Sequence, residues 1–259
     1  TSMVAAGKAD FGVSYQEDVT YALTSEDPLP IKTIATIIQH NTSGFVSLKS
    51  ANINSVMDFE GKTYAGWGAP SEEAVIKAVM NEAGADFSKL NIVGSDGSGI
   101  AGLSDEVGKN KVNLGWEFYG WAIIKALQDG YDLNYMPLAD LDNRLDYYTP
   151  VIITNKKMIK KNSDTIKKFM EATKKGYEYA IDHPSKAAEI LHEDALSDTD
   201  LKFLKESQKY LSSQYAKDAD SWGVMKDSVW DNYTDFMYET GLISQKIDAK
   251  DQYTNEFVK

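Results

Sequence analysis

Two patterns of hydrophobic and polar residues alternate along the first 155 positions of the chain. Short apolar runs rich in β-branched residues, such as IKTIATIIQ at 31–39, are typical of buried strands. Amphipathic stretches between these runs predict helices. The predicted strands cover 9–15, 31–39, 44–49, 63–67, 90–94, 111–117, 133–138 and 147–154. The predicted helices cover 16–26, 70–84, 98–110 and 119–130.

The segment PSEEAVIKAVMNEAG at 70–84 has the clearest helix signals. Pro70 and Ser71 stand at its start, acidic residues fill its first turn, and Gly84 stands at its end. Proline suits the first turn because its missing N–H would have no helical partner there, and acids favour the positive end of the helix dipole. Glycine accepts the left-handed conformation that closes many helices, so this helix is predicted to end at Gly84.

The pattern changes after Thr154, where lysine-rich amphipathic segments predict only helices. These segments cover 160–184, 185–194, 197–215 and 223–241. Residues 163–165 can begin the first segment, and Ser197 or Asp198 can begin the third. The chain is therefore predicted as an α/β fold with a helical C-terminal part. Strands spaced by helices favour a mainly parallel sheet, whose ligands bind beyond the carboxyl ends of the strands.

Composition and charge narrow the classes of function. The chain has 259 residues, enough for one large domain or two lobes, and a net charge of −12. Such a surface repels phosphate backbones, so nucleic acid is not an expected partner. Arg144 is the only arginine among 27 basic residues, which makes a bidentate clamp for a doubly anionic ligand hard to build. The absence of cysteine excludes disulfides, thiolate nucleophiles and cysteine-ligated metals, and no catalytic residue, metal or cofactor is predicted.

Polar residues mixed with aromatic residues or glycine follow several of the predicted strands. These strand ends cover 14–17, 39–42, 66–71, 94–98 and 116–119. Core packing alone does not need such a mixture, whereas a flat, polar aromatic ligand needs stacking faces and a few atoms that fix its orientation. The candidate ligand-binding residues at these ends are Tyr15, Gln16, His40, Trp67, Gly68, Ser71, Trp116, Glu117 and Tyr119.

Simpler explanations compete at several of these ends. GWGAPSEE can be a tight turn before a helix, or it can place Trp67 in a cleft with the free amides of residues 71–73 facing a ligand. GSDGSG lacks the Lys-Ser/Thr of a phosphate-binding loop and is better explained as a helix cap. His40 follows a strand and is a candidate contact. His183 and His192 lack the i,i+4 spacing of a metal pair, so a solvated helix face is expected for both.

Glu117 is the most informative of these residues. It stands in the stretch GWEFYGWAI, where Trp116, Phe118, Tyr119 and Trp121 surround it in sequence. A carboxylate is costly to bury without a partner, so it must either face solvent or receive strong hydrogen bonds from a ligand. An amino-pyridine or amino-pyrimidine offers the donors that a carboxylate accepts, and we favour the ligand role.

Four segments carry a resemblance to a known family. They are VAAGKADFGVSYQEDV, GKTYAGWGAPSEEAVIKAVM, VNLGWEFYGWAIIKA and LNYMPLADLDNRLDYYTPVIITN. In their order and spacing they resemble the pyrimidine-precursor branch of the ABC transporter solute-binding proteins, which is related to the fungal enzymes that make the thiamine pyrimidine. The resemblance covers most of the first 155 residues and continues more loosely through the helical tail.

This resemblance implies a two-lobed type II periplasmic-binding-protein fold that closes on its ligand as a hinged trap. Residues 1–45 and 150–259 would form one lobe, and residues 46–149 the other. In the family a strand and a helix precede the segment VAAGKADFGV. The sequence is therefore expected to lack the first strand and helix of the fold.

The resemblance also implies the ligand, a thiamine pyrimidine precursor of the formylaminopyrimidine or hydroxymethylpyrimidine type. Tyr15 would lie at the first strand end, Trp67 would lie on the facing lobe, and Glu117 would accept from the pyrimidine amino group. The aromatic residues packed around that group would be Trp116, Tyr119 and either Tyr147 or Tyr148. An ABC permease in the membrane would receive the ligand, and the protein would work outside the membrane as a periplasmic protein or a lipoprotein.

Three other classes of function stay open at this point. The enzymatic relatives consume their own histidine and carry a cysteine-rich motif, which a chain without cysteine cannot supply. Binding proteins for sulfonates or nitrate share the architecture, but one arginine and a central Glu117 suit an anion poorly. A purely structural or adhesive role is the least favoured, because aromatic residues and glycines concentrate at the strand ends.

Overall fold

The computed structural model describes residues 1–259, which divide into two compact units. Unit 1 contains Thr1–Asn41 and Asp146–Lys259, and unit 2 contains Thr42–Leu145. Unit 2 is therefore an insertion that the chain enters and leaves once. The boundaries expected from sequence, after residues 45 and 149, lie four residues later at each of the two crossings.

Eight strands and eleven α-helices form the two units. The strands are β1 Phe11–Ser14, β2 Ile31–Thr36, β3 Ser43–Leu48, β4 Thr63–Gly66, β5 Asn91–Gly94, β6 Leu114–Phe118, β7 Leu133–Pro137 and β8 Val151–Asn155. The helices are α1 Ser2–Ala5, α2 Gln16–Thr24, α3 Pro70–Glu82, α4 Ile124–Gln128, α5 Leu138–Leu141, α6 Lys156–Lys161, α7 Ser163–Asp182, α8 Pro184–Asp194, α9 Leu201–Ser212, α10 Asp227–Glu239 and α11 Ala249–Gln252. None of these helices has the length and hydropathy that a bilayer span requires.

Unit 1 is built on a three-stranded sheet in the order β1-β8-β2. Both outer strands run antiparallel to β8, so β1 and β2 are parallel to each other and end at the same edge. The prediction of a mainly parallel sheet is wrong here. The reason is that β8 is the strand by which the chain returns from unit 2, and it enters between β1 and β2 in the opposite direction.

Unit 2 contains a five-stranded sheet in the order β5-β4-β6-β3-β7. Strand β4 is parallel to β5 and β6, whereas β3 is antiparallel to β6 and β7. This sheet is mixed and not mainly parallel, because β3, the first strand after the chain enters unit 2, runs against its neighbours. The parallel part contains the three strands that follow the βαβ pattern seen in the sequence.

The central strand β8 explains why its sequence is continuously apolar. Val151 and Ile153 face one buried cluster with Trp230, and Ile152 faces another with Trp222. A strand covered on both faces has no polar side, so the period-two alternation is lost. The helical tail that supplies both tryptophans therefore completes the core of unit 1.

Two helix predictions need correction. Residues 98–110 form only a 3-10 turn at Gly99–Gly102, because Gly97 and Gly99 adopt positive φ angles that interrupt a regular helix. Helix α9 begins after Asp200, whose side chain accepts a hydrogen bond from the N–H of Lys202, and not at residues 197 or 198. Asp200 is therefore the residue that caps this helix.

Candidate functional site

The candidate site in unit 2 forms where three parallel strands end together. Gly66 of β4 pairs with Gly94 of β5, and Tyr64 of β4 pairs with Leu114 of β6. Because these strands run in the same direction, the residues that follow Gly66, Gly94 and Leu114 meet at one edge of the sheet. Three of the polar and aromatic ends noted in the sequence are thus brought together.

Two tryptophans form an aromatic surface at this edge. The ring of Trp67 meets the ring of Trp116 edge to face, with centroids 5.1 Å apart and an interplanar angle of 62°. Trp116 rests in turn on the buried Phe45, at 5.7 Å. The side chain of Trp67 remains 57% exposed, which is unusual for so large an apolar group in a monomer. The pair leaves an open indole face that suits a flat ring.

Glu117 follows Trp116 directly in strand β6 and is partly buried. Its carboxylate accepts no hydrogen bond and forms no ion pair, and burial raises the pKa of Glu117 above its ordinary value. A Cβ added at Gly99 would lie 3.6 Å from its Oε1 atom, so the glycine-rich loop approaches the carboxylate closely. Glu117 is therefore a partly buried acceptor without a hydrogen-bond donor, at the same sheet edge as the exposed Trp67.

The turn that carries Trp67 is fixed by a second carboxylate. Glu72 is 3% exposed and accepts hydrogen bonds from the backbone N–H groups of Trp67, at 3.2 Å, and Gly68, at 2.9 Å. The hydroxyl of Tyr64 also donates to Glu72. Burial, this hydrogen bond and the charges of Glu72 and Glu117 raise the pKa of Tyr64 far above its usual range. The phenol thus lies close to both acidic groups.

The expected amide cradle of residues 71–73 is not what this turn provides. The N–H of Glu72 donates to the carbonyl of Ala69 at 3.1 Å, and Ser71 is buried, at 5% exposure. The N–H of Gly68 is likewise engaged by the Glu72 side chain. The simpler explanation, a tight turn before helix α3, accounts for the hydrogen bonds of Gly68 and Glu72, and Trp67 is the exposed aromatic residue of this segment.

Tyr119 follows β6 and is held by residues of and near β3 and β7. Its N–H donates to the carbonyl of Thr42 at 2.9 Å, and its ring meets that of Tyr135 edge to face at 5.3 Å. The hydroxyl of Tyr135 donates to the same carbonyl of Thr42 at 2.7 Å. Residues at the start of β3 therefore anchor the segment that follows Glu117.

Among the candidate ligand-binding residues of unit 1, Tyr15 is exposed and the others form hydrogen bonds or pack within the protein. Tyr15, at the end of β1, is 46% exposed. Gln16 is fully buried, and its side chain accepts from the N–H of Tyr148 at 2.8 Å and donates to the carbonyl of Val229 at 3.2 Å. Both ends of the Gln16 amide are thus satisfied within the protein, which favours a structural role, and ligand contact by Gln16 stays a prediction.

Tyr147 and Tyr148 are also buried. The hydroxyl of Tyr148 accepts from the N–H of Lys226 at 2.9 Å, and its side chain is 1% exposed. The ring of Tyr147 stacks on Tyr233 with centroids 4.0 Å apart, and its hydroxyl donates to Glu17. Both tyrosines pack in the core of unit 1 in this structure, and their contact with a ligand stays a prediction.

Glu17 is a carboxylate that sequence reasoning did not single out. Tyr147 donates to it, and the hydroxyl of Tyr233 donates to its Oε2 atom at 3.3 Å. Burial nevertheless raises the pKa of Glu17, because desolvation outweighs these hydrogen bonds. The nearby Tyr21 has its pKa raised to about 12, mainly by burial and then by the charge of Glu17. The sequence around residue 17 does not predict this cluster, because Tyr147 and Tyr233 lie more than 100 positions away.

His40 is engaged by two acidic residues of unit 1. Its Nδ1 atom lies 2.6 Å from Asp146, and its Nε2 atom lies 3.4 Å from Asp218. Asp146 also accepts from the N–H of Asn41 at 2.8 Å. The hydrogen bond to Asp146 is the main cause that raises the pKa of His40. With both ring nitrogens occupied, the structure gives His40 a role in fixing the chain at its crossings and not an evident ligand contact.

Comparison with known proteins gives this geometry a context. The chain is 25% identical over 198 residues to a formylaminopyrimidine-binding protein of Halalkalibacterium halodurans, a match that covers 73% of this chain and 56% of that protein. It is 25% identical over 255 residues to the riboflavin-binding protein RibY of Chloroflexus aurantiacus, which covers 91% of this chain and 67% of that protein. The chain thus spans little more than half the length of the first of these relatives.

Solved structures identify the fold. The alkanesulfonate-binding protein SsuA from Xanthomonas axonopodis pv. citri, bound to MOPS, aligns with a TM-score of 0.71 and 11% identity over 98% of this chain and 83% of that chain. This similarity establishes the two-lobed type II fold of periplasmic binding proteins. The family model described as NMT1/THI5 like matches residues 1–187. The chain therefore belongs to the NMT1/THI5-like family.

Proposed function

We propose that this chain is the solute-binding component of an ABC importer and that it captures a thiamine pyrimidine precursor of the formylaminopyrimidine or hydroxymethylpyrimidine type. The observation that carries this proposal is Glu117, a partly buried carboxylate without a hydrogen-bond partner near the end of β6, directly after Trp116, whose ring contacts the exposed Trp67. A ligand that supplies both a flat ring and an N–H donor would satisfy all three residues.

The chemistry of an aminopyrimidine matches these groups. Its ring can lie against the tryptophan face, and its exocyclic amino group can donate to a carboxylate oxygen of Glu117. Tyr119 follows β6 and packs edge to face on Tyr135, so we propose it as a further aromatic contact. Tyr15 is the remaining exposed candidate of unit 1. We assign ligand contact to Trp67, Trp116, Glu117 and Tyr119 of unit 2, and Tyr15 stays a candidate of unit 1 by itself.

An anionic ligand suits this site less well. Both Glu117 and Glu72 place carboxylates near Tyr64, and like charges would repel a sulfonate or nitrate. The single arginine of the chain, Arg144, is engaged by Asp142 through its Nε and Nη2 atoms. The two named relatives bind formylaminopyrimidine and riboflavin, both flat nitrogen heterocycles, which supports a ligand of that class.

We propose binding and not catalysis as the role of the site. The named relatives are binding proteins, and the chain contains no cysteine that could act as a nucleophile. The protein would act outside the membrane, as a periplasmic or lipid-anchored protein, and would deliver its ligand to a membrane permease. The structural neighbours named as periplasmic sulfonate-binding proteins support this location.

Calorimetric titration tests the proposal. The protein is titrated with formylaminopyrimidine, hydroxymethylpyrimidine, thiamine, riboflavin and taurine, and the variant Glu117→Ala is titrated in parallel. We expect one of the two precursors to bind most tightly, and Glu117→Ala to weaken it by about 2–3 kcal/mol because a donor loses its charged partner. Preferred binding of riboflavin would move the ligand to the flavin class, and binding of taurine alone would contradict the proposal.

A further inference from the structure

The segment 66–72 of unit 2 contains a feature that the site as described does not use. The buried carboxylate of Glu72 receives three hydrogen bonds, from the hydroxyl of Tyr64 and from the N–H groups of Trp67 and Gly68. A buried carboxylate needs such donors, and here no cation supplies them. Two of the three donors belong to the backbone at and after Trp67, so the carboxylate fixes that backbone and no other.

Gly66 makes room for this arrangement. A Cβ at position 66 would collide with the Glu72 carboxylate and with the ring of Tyr64. The carbonyl of Gly66 is held at the same time by the N–H of Ser95, at 2.7 Å. The strand end is therefore bound on one side by its neighbouring strand and on the other by a side chain from the first turn of helix α3.

The indole of Trp67 depends on this support. Trp67 is 57% exposed, and its ring contacts one other aromatic ring, that of Trp116, edge to face at 5.1 Å. Gly68, the next residue, adopts a φ of 79°, a conformation that costs glycine little and that leaves the turn free to change. An exposed ring on a turn that contains glycine keeps one orientation only if its backbone is held.

We propose that Glu72 is a positioning residue, which holds the backbone of Trp67 so that its indole stays against Trp116 and forms the ligand-binding face. The part of this inference that concerns affinity rests on the proposed function. The part that concerns the orientation of Trp67 does not, because it can be measured without a ligand. Glu72 touches no ligand in this scheme and acts only through Trp67.

The variant Glu72→Gln tests the arrangement with little change in volume. An amide has one acceptor oxygen and a donor NH2 group, so at least one of the three donors would face another donor. The matched control is Glu73→Gln, which removes the same charge from the next residue of the same helical turn, where the side chain is exposed. Thermal unfolding of both variants identifies a temperature at which each is fully folded.

The first readout is circular dichroism of the ligand-free protein at that temperature. Two indoles in contact couple their transitions and give a paired positive and negative band, which Trp67→Phe identifies by removing it. We expect Glu72→Gln to weaken this paired band and Glu73→Gln to keep it. A purely stabilising role for Glu72 would lower the melting temperature and leave the band of the folded protein unchanged, which would overturn the proposal.

The second readout is the affinity for the precursor that binds best to the unchanged protein. We expect Glu72→Gln to weaken it about tenfold, the effect of one lost hydrogen bond to a charged group, and Glu73→Gln to change it less than about twofold. Equal affinities in the two variants would overturn the proposal. If no precursor binds the unchanged protein, the proposed function fails, and the paired band alone still decides the role of Glu72.

A second variant covers the case in which Glu72→Gln does not fold. Tyr64→Phe removes one donor from the carboxylate and leaves the two backbone hydrogen bonds in place. We expect a weaker paired band and an affinity about two- to threefold lower, in line with a partly released carboxylate. A Tyr64→Phe protein with an unchanged band and unchanged affinity would contradict the positioning role.

Discussion

Glu17 in unit 1 and Glu117 in unit 2 are both partly buried carboxylates, and they end in opposite states. Glu17 lies in the first turn of helix α2, Glu117 lies near the end of β6, and burial raises the pKa of both. Glu17 receives hydrogen bonds from the phenols of Tyr147 and Tyr233. Glu117 receives none. One carboxylate is thus part of a closed core cluster, and the other remains available to a ligand.

This difference between Glu17 and Glu117 shows which kind of carboxylate can mark a binding site. In unit 1 the helical tail supplies Tyr233, which covers the cluster and is itself fully buried. In unit 2 no element supplies a donor to Glu117, and the neighbouring Trp67 stays exposed. A carboxylate among aromatic residues therefore indicates a ligand site only when the protein itself supplies no hydrogen-bond donor to it. Four predictions test this contrast, from the largest expected effect to the smallest.

Truncation of the two aromatic clusters should affect stability very differently. Tyr233→Ala removes a fully buried ring that stacks on Tyr147, so the free energy of unfolding should fall by about 3–5 kcal/mol. Trp67→Ala removes a largely exposed ring and should change it by only about 0.5 kcal/mol. Urea denaturation measures both. Equal losses would show that Trp67 belongs to a core and not to a binding surface.

Removal of the carboxylate from the closed cluster should be destabilising. Glu17→Leu leaves the hydroxyls of Tyr147 and Tyr233 buried without their acceptor, which should cost about 2 kcal/mol of unfolding free energy. Asp18→Asn, at the exposed neighbouring position, is the control for the lost charge and should have little effect. A Glu17→Leu protein as stable as the Asp18→Asn control would show that the two phenols do not depend on Glu17.

Removal of the Glu117 carboxylate should instead increase the free energy of unfolding. Glu117→Gln replaces a partly buried, unpaired charge by a neutral amide, so the ligand-free protein should gain about 1 kcal/mol at pH 7. The unfolding free energy of the unchanged protein should also fall as the pH rises from 4.5 through the raised pKa of Glu117, because the folded state then holds a proton that the unfolded chain has released.

Glu117→Gln should remove this part of the pH dependence. Denaturant midpoints measured between pH 4 and pH 7 provide the comparison, with Glu73→Gln as the control for a lost exposed carboxylate. A variant that is less stable than the unchanged protein at pH 7 would mean that Glu117 already has a favourable partner in the ligand-free state.

The smallest effect is expected at His40, whose pKa is raised mainly by the hydrogen bond to Asp146. Because its pKa is raised above 6.5, the stability it contributes is fully present below pH 6.5 and is lost as the pH rises through the higher folded value. His40→Gln should flatten this slope near neutral pH. Nuclear magnetic resonance titration of the His40 ring checks the direction, and a value below 6.5 would contradict the prediction.

The sequence by itself determined the order and kind of most elements. Helix α3 has the predicted start at Pro70 and ends two residues before Gly84, because these signals act within a single turn of the chain. The aromatic and polar residues after β4 and β6 were recognised for the same reason. The parallel run of these two strands then brings Trp67 and Trp116 into contact.

Only the tertiary structure decided which of the recognised residues are free. Gln16 and Tyr148, which satisfy each other, are 132 positions apart, and Glu17 meets a phenol 216 positions away. The reversed directions of β3 and β8 likewise follow from the two crossings between the units. A local pattern specifies the groups that need partners, whereas hydrogen-bond partners at such separations are set by the packing of the whole chain.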